Sequence, residues 1–112
     1  MFGFELHWIY AHLIGDFLLQ NDWMAANKKK DNFVCLVHIV TYMVPFLFTD
    51  FNLIQLLLIA VQHYIQDRTN FVAWFCKLTK KFQGKPIQSL GYIIVDNIFH
   101  ILWVAMIDFY FI

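Results

Sequence analysis

Charge is scarce in this chain: 14% of its residues are Asp, Glu, Lys or Arg, against 61% that are hydrophobic and 20% that are aromatic. A water-soluble domain of 112 residues needs more polar surface than this to cover its core, so the composition points to a single-domain membrane protein. Positive and negative side chains balance to a formal net charge of zero, which removes electrostatic support for nucleic-acid binding. The two cysteines, Cys35 and Cys76, lie in or beside apolar stretches and form no secreted disulfide framework, so both read as free thiols. The four glycines include no phosphate-cradling loop. The first segment has neither a basic n-region nor a small-residue cleavage pattern, and is not expected to be a cleaved signal peptide. No internal repeat is visible.

What is present is apolar length. Four segments stand out, from about Phe4 to Met24, Phe33 to Thr49, Phe51 to Cys76 and Leu90 to Ile112. Each is roughly 17 to 26 residues, the span a helix needs to cross the hydrocarbon core. They predict an all-α, four-helix transmembrane bundle. The first segment is the least apolar, with a tilted or partly re-entrant course as its alternative. Pro45 should kink the second, and an amphipathic extension from Lys77 to Phe82 should prolong the third until Gly84 and Pro86 break it. All eight Lys and Arg residues fall in two places, Lys28 to Lys30 and Arg68 to Lys85, while the opposite side carries Glu5, Asp50 and Asp108. The positive-inside rule makes both basic loops cytoplasmic and both termini external, with Trp8, Trp23 and Trp74 near the interfaces.

Within the apolar segments, a histidine and an aspartate recur four positions apart: His12 and Asp16, His63 and Asp67, Asp96 and His100. Ionisable groups in hydrocarbon-facing helices cost a few kcal/mol each unless partnered, so they mark a functional interior. Residues four apart share a helix face. Given the alternating directions of the segments, each aspartate falls nearer the cytoplasm and each histidine nearer the midplane, at similar depth. His38 enters the same layer from the second segment, where it reads equally as a satisfied core histidine or as a ligand.

Three buried carboxylates must be protonated, paired or bound to cations. A divalent metal meets that need, zinc first, with manganese or magnesium as alternatives. The candidate ligands are His12, Asp16, His38, His63, Asp67, Asp96 and His100, and the catalytic candidates are Asp16, Asp67 and Asp96. They exceed the four ligands of a closed mononuclear site, so an open site or two metals would leave room for activated water. Repeated His-x-x-x-Asp on helices resembles the ligand layout of helical zinc phosphoesterases, an analogy of motif. Other polar groups have plainer readings. His7 is interfacial, Arg68 snorkels, Asp22, Asp31, Asp50 and Asp108 are solvated, and Gln62 and Gln66 hydrogen-bond between helices. Cys35 packs.

The first segment reads His12-Leu-Ile-Gly15-Asp16-Phe17-Leu-Leu-Gln20, where Gly15 admits a close helix neighbour and Gln20 extends the polar face. With this block, the lone His38, the His63/Asp67 pair and the Asp96/His100 pair, the chain resembles a family of small bacterial and phage integral membrane proteins classed as a domain of unknown function. Asn97 stands where that family is expected to carry Gln. The resemblance implies a multi-pass protein of the bacterial inner membrane and brings no activity with it. Three function classes follow from the residues. The leading one is a metal-dependent hydrolase acting on a lipid or phosphoester at the inner leaflet. The second is a proton or ion pathway, expected as a homo-oligomer, and the third is a non-catalytic membrane adaptor or phage-encoded effector.

Overall fold

The computed structural model describes residues 6–86 and 90–110, which are all-helical, with no strand among them. The expected segment limits Phe4 and Ile112, with Glu5, lie outside the described residues. Helix α1 (Trp8–Leu13) runs straight into a π-helical turn at Ile14–Leu18, followed by α2 (Asp22–Asn27). Helix α3 (Asn32–Met43) ends in a 3-10 turn at Pro45–Phe48. Then come α4 (Leu53–Arg68), α5 (Phe71–Leu78) and α6 (Leu90–Tyr110).

Short polar side chains start these helices where the sequence interrupts its apolar runs. Asn21 accepts from the Met24 amide, Asp31 from those of Phe33 and Val34, and Asn52 with Gln55 forms a reciprocal capping box. Asp31, read as a solvated charge, is thus the cap of α3. Pro45, which lacks an amide donor, ends the α-helical part of the second segment and opens the 3-10 turn.

The continuous four-helix reading needs correction at three points. The first segment is split among α1, the π-turn and α2, so none of its pieces approaches membrane-crossing length. The third breaks after Arg68, where Thr69 takes an extended backbone and its hydroxyl donates back to the Ile65 carbonyl. The expected extension to Phe82 stops at Leu78, and Lys80 and Phe82 both turn to positive φ. Among the described residues, α6 alone is long and apolar enough to cross a membrane by length and composition. At 1.5 Å per residue α4 reaches only roughly 24 Å, short of a hydrocarbon core of about 30 Å.

Helices α4 and α6 lie antiparallel, with Gln66 on Asp96, His63 on His100 and the Trp103 indole donating to the Leu58 carbonyl. One end of the bundle holds an apolar core that includes Tyr42, Phe46, Phe51, Ile59, Val104 and Ile107. Moving toward the lysine loops, each helix switches to buried polar residues: His12 and Asp16, His38, His63 and Asp67, and His100. Large apolar side chains instead face outward, among them Leu36 and Val40 on α3, Leu57, Val61 and Ile65 on α4, and Ile94, Ile98 and Leu102 on α6.

Gly15 fixes how the π-turn meets α3. A Cβ there would lie 2.7 Å from both the carbonyl oxygen and a ring carbon of Tyr42. Backbone must move to admit it, so Gly15→Ala is expected to destabilise the fold by about 1–3 kcal/mol, the usual range for overpacking. Denaturation in detergent measures the change. An unaltered midpoint would mean that α3 can withdraw without loss.

Candidate metal centre

The site is built around Asp67, which is fully buried at the end of α4. Its Oδ2 lies 3.0 Å from each of the Lys28 ammonium, His38 Nε2 and His63 Nε2, and its Oδ1 lies 3.0 Å from His100 Nε2. Asp16, brought in by the π-turn, places Oδ1 3.4 Å from His38 Nε2 and 3.6 Å from His63 Nε2. That oxygen is buried and makes no hydrogen bond among the described residues. The two Nε2 atoms stand 3.1 Å apart.

These distances test the fit of a metal. Two ligands at the 2.0–2.1 Å bond lengths of zinc, held at a tetrahedral angle, lie about 3.3 Å from each other. The separations among His38, His63, Asp67 and Asp16 given above run from 3.0 to 3.6 Å. Asp16, His38, His63 and Asp67 could therefore hold an ion, as could a second group of Asp16, Asp96 and His100. The Nδ1 atoms of His38 and His63 have no hydrogen-bond partner among the described residues, so these two rings lack the outer partner that usually orients a ligating histidine.

His100 has that partner, and a chain of amides defines its tautomer. Gln66 donates through Nε2 to Asp96, at 2.8 Å to Oδ1 and 2.9 Å to the carbonyl, which leaves its Oε1 to accept from Gln62 Nε2 at 2.7 Å. Gln62 Oε1 then accepts the hydrogen bond that His100 donates through Nδ1–H, at 3.3 Å. A neutral His100 consequently turns a bare Nε2 lone pair toward Asp67 Oδ1, an arrangement that requires a cation or a second proton between them. Gln62 and Gln66, expected as interhelical hydrogen-bonding groups, are the links of this chain.

Helices α3 and α6 engage both ring nitrogens of His12. Asn97 donates through Nδ2 to the Ile93 carbonyl, so its Oδ1 accepts from His12 Nε2 at 2.9 Å. The other ring nitrogen, Nδ1, accepts from the Tyr42 hydroxyl at 2.8 Å. Both nitrogens are engaged, and His12 belongs to neither ligand group. It braces Tyr42, whose ring stacks on His63 at 3.8 Å. The remaining six candidates, Asp16, His38, His63, Asp67, Asp96 and His100, are gathered together.

DUF3307, described as a protein of unknown function, matches residues 6–112. The chain belongs to this family. No curated protein and no solved structure matches it. The DUF3307 match carries no activity, so chemistry rests on the centre itself.

In this DUF3307 chain the sequence reading missed three members of the centre. Lys28 sits in a run of three lysines and looks like one more orienting charge, yet it is nearly buried and bonds Asp67. Burial alone would lower its ammonium pKa, but the facing carboxylates of Asp67, Asp16 and Asp96 raise it above the ordinary value. Tyr42 follows His38 by four positions, a same-face spacing that was available as a signal, and Asn97 adjoins Asp96. Arg68 neither pairs with Asp67 nor extends freely: it bonds the Asn32 side chain and the Lys29 carbonyl, closing the lysine loop over α4. Cys35 and Cys76 are buried free thiols.

Proposed function

We propose that the protein is a multi-pass metalloprotein of the bacterial inner membrane whose His/Asp centre hydrolyses a phosphoester, carried by a lipid or free, at the cytoplasmic leaflet. The gathering of Asp16, His38, His63 and Asp67, whose ligand atoms all lie within 4.8 Å of one another, carries the reading. Charge supports it too: three carboxylates against one ammonium leave two negative charges, which a divalent ion neutralises. The membrane placement rests on the outward apolar side chains of α3, α4 and α6, a far larger apolar exterior than a soluble monomer tolerates. The lysine loops then face the cytoplasm.

A bound divalent ion supplies Lewis acidity and lowers the pKa of an associated water. Hydrolysis bonds the water oxygen to phosphorus and breaks the bond to the leaving oxygen. A carboxylate of the centre takes the water proton and returns it to that leaving oxygen.

Elemental analysis of the purified protein in detergent should find zinc or manganese in stoichiometric amount. His63→Ala should lose it, with His63→Gln as a variant that better preserves the fold. Release of phosphate from an aryl phosphoester and from phosphatidate micelles should fall at least 100-fold in both. Metal-free wild-type protein would overturn the reading. One observation favours a second reading: the Lys28 ammonium and the surrounding imidazoles already meet Asp67 at 3.0 Å without any metal, making the cluster a lock within the bundle. That protein would contain no metal and would keep its assembly in chelator.

A further inference from the structure

The polar layer holds two groups of ligands, and they are unequally placed. Asp16, His38, His63 and Asp67 are all buried. Asp96, in the group with Asp16 and His100, keeps 19% of its side chain exposed. A cleft of about 440 Å³ opens beside Asp96, lined by Asp16, Asp96 and Asn97 and by the run Lys28, Lys29 and Lys30, and none of the rings of His38, His63 and His100 lines it, nor does Asp67.

Asp67 and the rings on either side of it divide the layer in two. His63 meets Oδ2 while His100 meets Oδ1, and the two imidazoles stack 3.7 Å apart at only 14° from parallel. Ions lying in the planes of two such rings would be separated by about the ring spacing, within the 3.5–4 Å usual for two-metal sites. The second position is also prepared by the amide chain through Gln62 and Gln66. It points the bare Nε2 of His100 inward and occupies Asp96 Oδ1, leaving Asp96 Oδ2 free at 3.6 Å from that Nε2. Asp16, with its unbonded and buried Oδ1, belongs to both groups.

We infer that the centre holds two divalent ions sharing Asp16, an enclosed one among Asp16, His38, His63 and Asp67 and an outer one among Asp16, Asp96 and His100 that faces the lysine-lined cleft. The inference deepens the metal reading and rests on it. With two ions the layer carries net positive charge beside three lysines, so the cleft takes an anionic substrate, with its phosphate against the outer ion. The enclosed ion holds the shared carboxylate in place, and the outer one alone has room for water.

Asp96→Asn separates the two ions with little risk to the fold, because Gln66 can donate to an asparagine Oδ1 as it does to the aspartate. The full chain in detergent, loaded with manganese and desalted, should carry about two ions in the wild type and about one in Asp96→Asn. The spin-coupled resonance signal of a manganese pair should be present in the first and absent from the second, with circular dichroism showing both folded. One ion in each protein would overturn the inference and leave the metal reading standing. No ion in either would remove both. Two ions retained in folded Asp96→Asn, or both lost from it, would also overturn this division of ligands.

Discussion

Asp67→Ala is expected to be the most damaging single substitution, costing about 3–5 kcal/mol, the range for removing one partner from a buried charged network. The loss leaves the Lys28 ammonium without its acceptor and the His38, His63 and His100 rings without the carboxylate that each now meets at 3.0 Å. Lys28→Met should cost less, since Asp67 retains three imidazoles. The double variant Lys28→Met/Asp67→Leu should recover part of the loss, because it strands no charge. Unfolding midpoints in detergent measure all three. An Asp67→Ala cost below about 1 kcal/mol would mean that the bundle does not depend on this carboxylate.

The second large effect is stabilisation by metal. An ion that binds only the folded chain adds RT ln(1 + [L]/Kd), about 2.7 kcal/mol at one hundred times Kd. Zinc or manganese should therefore raise the unfolding midpoint of metal-stripped wild-type protein, and chelator should reverse the rise. In His38→Ala the response should be clearly reduced, because the enclosed group loses one of its four ligands while Asp16, Asp96 and His100 are kept. Gly15→Ala, destabilised through α3 packing, should begin lower and still respond. A wild-type midpoint indifferent to divalent ions would favour the metal-free lock.

The helical class and the polar layer were legible in the sequence because they follow from local spacing. His63 and Asp67 do meet across one helical turn at 3.0 Å, as do Asp96 and His100 at 3.6 Å. The breaks were not legible, since apolar length is blind to the short local capping and turn contacts that make most of them. Nothing in the run from His12 to Gln20 announces a π-turn, which places Gly15 against Tyr42 and Asp16 beside His38. Segment length alone could not reveal that Thr69 would divide the third segment or that Lys80 would turn the chain. His12 shows the limit of the pair motif: its partners, Tyr42 and Asn97, come from other helices. Lys28 was hidden by its neighbours, because three adjacent lysines have one sequence signature and only burial distinguishes the first.

The separation of partners along the chain bears on biogenesis. Lys28 and Asp67 are 39 residues apart and can meet once α4 has formed, whereas His12 must wait for Asn97, 85 residues distant, on the last helix. A carboxylate leaving water needs a counter-charge at once. Lys28 thus supplies Asp67 with a counter-charge that does not depend on the last helix, and the finished fold keeps it there at 3.0 Å.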